Sequence, residues 1–296
     1  MSSEPTHMNK KTSPLARLLH ANPDLLMRFG SAVILGPATL ALTWAGGLYF
    51  AVLVAIGMVL LIREWVNIIS MDKRKRSMSV AFVALATVGV LLYHTDTTLA
   101  LAGAFAGALL LYLVCGLGQR ARWMAEGFIY ISLAGIALIT LRQGTEGLYI
   151  LIYLYFVVWG SDIAAYFCGR SFGGPKLWPA VSPNKTWSGS IGGVVFASIA
   201  GGGIAWAFNV QTLIFPVLMA AILAAASQLG DLYESALKRR FKVKDSSGLI
   251  PGHGGLLDRV DGLVFAAVLA MIMGAVVGGS ISDPGLGLVY DKVIGF

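Results

Sequence analysis

Long apolar runs separated by short polar loops organise this chain. Runs of more than about 18 apolar residues recur, the length that carries an α-helix through hydrocarbon. They predict nine spans, at about 29–45, 47–67, 78–94, 97–117, 124–141, 147–168, 188–208, 211–234 and 258–279. Only Ala45-Gly46-Gly47 joins the first two, so these also read as one kinked hairpin. Ahead of the spans, Met1–Thr12 reads as disordered. Leu15–Arg28 reads as a short interfacial helix, with Asn22 as N-cap and Pro23 at the first helical position. The fold class is therefore all-α, a polytopic membrane protein of about nine transmembrane helices.

Loop charge sets the orientation. Lys10, Lys11, Arg17 and Arg28 precede the first span, and Arg63 with Lys73-Arg74-Lys75-Arg76 follows the second. Arg120 and Arg122, then Arg170, Lys176 and Lys185, then Lys238 through Lys244 follow spans four, six and eight. All fall on one side if spans alternate. The other side has His94, Asp96, Glu146, Asn209 and Asp283, with Arg142 and Lys292 as its few cations. The excess of Lys and Arg marks the inside, which puts the N-terminus inside and the C-terminus outside.

Composition agrees with a bilayer. The chain is 57% hydrophobic and 12% charged, where a soluble domain carries about 25% charged residues. Mean hydropathy is +0.76. A net charge of +7 is spread over short loops between apolar runs, so it reads as a topology signal and nucleic acid is excluded as a partner. Cys115 and Cys168 have apolar surroundings and no metal spacing, which points to packing. The first twenty-eight residues are polar and basic, with no cleavable signal. The organisation expected is a cytoplasmic or interfacial segment at 1–28 and a transmembrane scaffold at 29–145. A catalytic transmembrane region with two cytoplasmic motif loops follows at 146–280, and a tail at 281–296.

The residues able to do chemistry lie in those two loops and the helix ends beside them. Asp231 and Ser235 are four apart, and Asp258 and Asp261 three apart, so each pair shares a helix face. Two carboxylate-bearing helix ends at one side of a membrane can hold a divalent cation. Mg²⁺ in particular takes a few carboxylates plus water and phosphates. The plainer readings are a snorkelling Asp231 and acidic residues complementing a helix dipole. Lys238, Arg239, Arg240, Lys242 and Lys244 read first as topology signals, and beside the carboxylates also as a phosphate clamp. Pro251-Gly252-His253-Gly254-Gly255 offers backbone amides without side-chain obstruction. His253 reads equally as a phosphate donor or general acid and as a hydrogen-bonded turn residue. Upstream, Asp162 sits inside an apolar span, where a carboxylate is costly and marks a functional site. Lys185-Thr186 falls at a helix N-terminus, a ready anion site. Gly189 and Gly193 give a small-residue face for close helix packing.

The run Ser235-x-Leu-Lys238-Arg239-x4-Lys244-Asp245-x-Ser247-x2-Ile250-Pro251-x-His253-Gly254-Gly255-x2-Asp258-Arg259-x-Asp261 resembles the signature of the CDP-diacylglycerol synthase (phosphatidate cytidylyltransferase) family. Asp162…Ala165-Tyr166…Gly169-Arg170 and Ser182-Pro183-Asn184-Lys185-Thr186 are similar to that family's upstream motif. One departure is Ser188, where the family often has Glu. The first 140 residues are similar only loosely.

The resemblance implies that CTP and phosphatidic acid, the second supplied by the lipid bilayer, give CDP-diacylglycerol and pyrophosphate. It implies a metal set of Asp231, Ser235 and Asp258 holding Mg²⁺, with K⁺ beside it. Lys238, Arg239 and Arg259 join Asp231, Asp258 and His253 as catalytic candidates. Asp162, Lys185, Lys244, Asp245, Gly254, Gly255 and Asp261 are substrate-binding candidates. A bacterial inner membrane, a cytoplasm-facing site and a homodimer complete the expectation. A CTP-dependent polyprenol or dolichol kinase is the first competitor, against which the full signature argues. A transporter is the second, and it would need internal symmetry and charges spread over several spans.

Overall fold

The computed structural model describes residues 23–71, 74–94, 96–250 and 254–285. His253, most of the 1–28 segment and the greater part of the 281–296 tail lie outside the described residues. Among the described residues nine helices follow in order. They are α1 (Pro23–Ala45), α2 (Gly47–Ile68), α3 (Arg74–Tyr93), α4 (Thr97–Val114), α5 (Gln119–Gln143), α6 (Gly147–Phe172), α7 (Trp187–Ala207), α8 (Ile214–Arg240) and α9 (Leu257–Val276). α2 to α9 supply eight helices long and apolar enough to cross a membrane, and α1 has a shorter apolar stretch, Val33–Ala45. The protein is an all-α polytopic membrane protein.

Three boundaries differ from the hydropathy reading. α1 begins at Pro23 and continues through Arg28 into the first span, so no separate interfacial helix ends there. No proline interrupts 24–36, and the two glycines there, Gly30 and Gly36, are a modest cost in a helix. Arg74, Lys75 and Arg76 open α3, and Arg120 and Arg122 open α5, where loops were expected. Hydropathy registers the hydrocarbon-soluble part of a helix and passes over a polar turn that extends it into the interface. Third, the loop after α6 contains a small hairpin, β1 (Lys176–Trp178) against β2 (Ser182–Thr186), paired Lys176↔Thr186 and Trp178↔Ser182. Its few residues are too short for a period-2 signal.

The α1–α2 junction is a tight reversal at Gly46, whose φ of +65° is open to glycine at little cost. Arg142 from α5 closes it, donating from Nε to the Thr43 carbonyl at 2.7 Å and from Nη2 to that of Trp44 at 3.1 Å. Carbonyls at a helix end lack intrahelical donors, so this cation caps α1. Between α6 and α7 the approach is close. Gly189, Gly193, Ala197, Gly201 and Ala205, four apart, are all buried on α7. A Cβ at Gly193 would stand 2.8 Å from the Ser161 carbonyl, which accounts for the small residues. An aromatic cluster of Trp65, Tyr130, Tyr233 and Phe265, with ring centres 5.5–6.1 Å apart, joins α2, α5, α8 and α9. It forms the apolar wall beside the charged residues described next.

Candidate active site

α8 changes character along its length, from Ala-rich and apolar to Gly-Asp-Leu-Tyr-Glu-Ser-Ala-Leu-Lys-Arg-Arg. Its last turn is basic, which complements the negative end of the helix dipole. The helix stops at Phe241, and Lys242 turns the chain with φ of +56°. α9 then starts at Leu257, with Asp258 in its first turn. The polar end of α8 and the start of α9 therefore lie at one side of the bundle. Thr186, the N-cap of α7, accepts from the Gly189 amide at 3.1 Å and fixes where the hairpin ends.

Two charge clusters result. In the first, Lys185 Nζ from β2 lies 2.5 Å from Asp231 Oδ2 on α8, both partly exposed. Ser235 Oγ donates to Asp231 Oδ1 at 3.3 Å. Asp162 on α6 is accessible and within electrostatic reach of Asp231, Lys185 and Arg259. Asp261 is within reach of Asp231, Asp162 and Lys185, and its Oδ1 accepts from the Gly262 amide at 2.8 Å. Residues from both sequence motifs thus converge, although Lys185 and Asp231 are far apart in the chain. In the second cluster, Lys238 Nζ lies 2.5 Å from Glu234 Oε2 and 2.8 Å from Asp258 Oδ1. Asp258 Oδ2 accepts from the Ser246 amide at 3.1 Å, Ser246 Oγ at 2.9 Å and the Gly255 amide at 2.8 Å.

The proposed metal set is divided between these clusters. Asp231 and Ser235 are hydrogen-bonded to each other, whereas Asp258 sits on Lys238. Among the described residues no three His, Cys, Asp or Glu side chains are arranged to hold an ion together. The donor chemistry still suits Mg²⁺, since carboxylate and hydroxyl oxygens at a partly exposed site leave room for water and phosphate oxygens. Of the remaining cations, Arg239 Nε donates to the Val181 carbonyl at 3.4 Å, and Arg239, Lys244 and Arg259 are exposed, as is Asp245. Gly254 has φ of +83°, and a Cβ there would stand 2.7 Å from Asp258 Oδ2. The Ile250 amide donates to the Gly254 carbonyl at 2.8 Å.

Three residues escaped the sequence reading. Glu234 could have been found, because it stands four before Lys238, a spacing that pairs opposite charges on a helix. Ser246 lies inside the motif as an unassigned position. Glu64, on α2, has buried oxygens that accept from Ser246, Ser247 and two backbone amides at the start of α9. Its only signal was a carboxylate inside an apolar span, beside the Arg63 that reads as loop charge.

Comparison with known proteins follows the same residues. Residues 26–277 match the Cytidylyltransferase family. A phosphatidate cytidylyltransferase of Brucella suis is 41% identical over 263 residues, 86% of this chain and 94% of the relative. Proteins of the same name from Bacillus subtilis and Haemophilus influenzae are 43% and 44% identical over 143 residues. These cover 46% and 45% of this chain, and 52% and 49% of the relatives. With the match running from α1 to the end of α9 and so taking in both charge clusters, the chain belongs to the cytidylyltransferase family.

Proposed function

We infer that this protein is a phosphatidate cytidylyltransferase of a bacterial inner membrane, converting CTP and phosphatidic acid to CDP-diacylglycerol and pyrophosphate for phospholipid biosynthesis. The observation that carries the reading is the Lys185–Asp231 contact, which joins the two separated motifs at one side of a membrane bundle. A phosphate oxygen of the lipid attacks the α-phosphorus of CTP. One P–O bond forms, the bond to the β-phosphate bridge breaks, and pyrophosphate leaves. The lipid phosphate is itself the nucleophile, so no side chain has to become one.

What the protein must supply is charge compensation and position, since two polyanions approach each other. Lys185 and Arg259 stand with Asp162, Asp231 and Asp261, where phosphates would be drawn between fixed cations. Lys238, Arg239 and Lys244 lie along the exit of α8 and serve the same need. Gly254 would let backbone come close to a phosphate, and Gly255 serves indirectly, its amide holding Asp258. Asp231, Ser235 and Asp258 would hold Mg²⁺, with K⁺ beside it, and the metal would neutralise phosphate charge. His253 is the candidate to protonate departing pyrophosphate. The basic side is cytoplasmic in this reading, where CTP is available, and the lipid enters from the bilayer. Self-association as a homodimer belongs to the same proposal.

Purified protein supplied with CTP and labelled phosphatidate tests this reading. Release of pyrophosphate that depends on both substrates, with label in a CDP-lipid, is expected. Transfer of the γ-phosphate of CTP to a lipid alcohol would instead establish a kinase.

A further inference from the structure

Glu64 reaches the motif from α2, far from it in the chain. Given the reaction assigned above, we propose that Glu64 is a positioning residue. Its carboxylate sets Ser246, Ser247 and the Leu256–Leu257 start of α9 and, through Ser246, the carboxylate of Asp258.

The geometry is specific. Glu64 is 2% exposed, between Ile62 and Trp65 of the core. Oε1 accepts from Ser247 Oγ at 2.6 Å and the Leu256 amide at 2.9 Å. Oε2 accepts from the Leu257 amide at 2.8 Å and Ser246 Oγ at 3.1 Å. All four donors are neutral. The two amides belong to the start of α9, where backbone N–H groups lack helical acceptors and the dipole favours an anion. Ser246 Oγ stands between two carboxylates, 3.1 Å from Glu64 and 2.9 Å from Asp258. Its single proton is shared between them, so the orientation of one carboxylate depends on the other. Gly255 leaves no slack. A Cβ there would meet Ser246 Oγ at 1.9 Å and both Glu64 oxygens at 2.7 and 2.8 Å.

Stability alone is a poor reason for this arrangement. Burying a carboxylate costs several kcal/mol, and apolar replacement of buried ionic groups is often neutral or stabilising. What the carboxylate adds is direction. Asp258 Oδ2 takes all its hydrogen bonds from Ser246 and Gly255, at or beside the positions that Glu64 anchors. Misplacement of a reacting group by 1 Å can cost about 100-fold in rate.

The experiment compares wild type, Glu64→Gln, Glu64→Asp, Ser246→Ala and Glu64→Gln/Ser246→Ala as full-length purified proteins. Turnover of CTP with phosphatidate is measured per folded molecule, well below the melting temperature. Glutamine keeps the shape but turns two acceptor sites into donors that face donors. The expected result is a kcat fall of at least ~10-fold for Glu64→Gln, with partial recovery in Glu64→Asp. The double variant should be little worse than its worse single, since both changes break one link. Thr140→Val, which removes a buried hydroxyl partner of Thr97 at the far end of α5, should lower the melting temperature and leave kcat unchanged. Hydrogen exchange of the Ser246, Ser247, Leu256 and Leu257 amides reads the anchoring without turnover, and should rise in Glu64→Gln. A kcat within twofold of wild type, independent losses in the double variant or unchanged exchange would overturn the proposal. If Glu64→Gln does not fold, Glu64→Asp with Ser246→Ala carries the same three readouts. A wild-type protein without turnover overturns the assigned reaction, and the exchange measurement then decides the role of Glu64 by itself.

Discussion

Replacing Lys238 by methionine separates charge that holds the fold from charge that serves the substrates. The ammonium bridges Glu234 and Asp258 at 2.5 and 2.8 Å. Side-chain exposures are 16% for Lys238, 2% for Glu234 and 8% for Asp258, so solvent screens the group little. Removing one partner of a buried pair costs ~3–5 kcal/mol, because the other charge stays behind. Asp258 keeps its donors from Ser246 and Gly255, so the uncompensated charge falls mainly on Glu234. That places the expected loss near the lower end, ~3 kcal/mol. At roughly 2–4 °C per kcal/mol for a chain of this size class, the melting midpoint should fall by ~6–12 °C. Tryptophan fluorescence of protein in detergent reads it. Adding Glu234→Gln to Lys238→Met removes the stranded charge and should recover at least half of the loss. A fall below ~2 °C, or no recovery in the double variant, would refute the bridging role and leave Lys238 to the phosphates alone.

Asp231→Asn and Asp258→Asn should each abolish turnover while protein inserts and elutes as wild type by gel filtration; near-normal activity at ordinary Mg²⁺ removes that residue from the metal set. Arg259→Lys should keep expression and lose at least ~10-fold in kcat/KM, or ~1.4 kcal/mol, because a planar fork and a point charge are not equivalent towards phosphate. Activity within twofold would leave Arg259 as a topology signal only. Leu249→Cys, at a 43% exposed position in a background without Cys115 and Cys168, should resist an impermeant reagent on intact cells and react after permeabilisation; labelling from outside would reverse the orientation.

Spans were legible because a membrane imposes a length and a composition that hydropathy measures directly. The ends were less so. Arg74 and Arg120 are helical residues with loop-like chemistry, and the Lys176–Thr186 hairpin is fixed by two backbone pairings that a pattern of so few residues does not reveal. In the site, Asp231 with Ser235 could be read from i,i+4 spacing, and the structure hydrogen-bonds them. The grouping of Asp231 with Asp162 and Lys185, and of Asp258 with Lys238, could not be read. Spacing within one helix says nothing about which partner a neighbouring element brings.

Glu64 shows where a search by charge runs out. Five other carboxylates of the site stand within reach of a cation: Asp162, Asp231 and Asp261 of Lys185, and Glu234 and Asp258 of Lys238. Such pairs leave a trace in sequence as clustered opposite charge. Glu64 is compensated by two helix-end amides and two hydroxyls, donors that almost every sequence segment contains. Its neighbour Arg63 is exposed while Glu64 is buried, so adjacency pairs the two on paper and the helix turns them to different surroundings. A carboxylate inside an apolar span is costly whatever compensates it. That cost is the sequence-level reason to ask what Glu64 holds, and Asp258, linked to it through Ser246, is the answer the structure supplies.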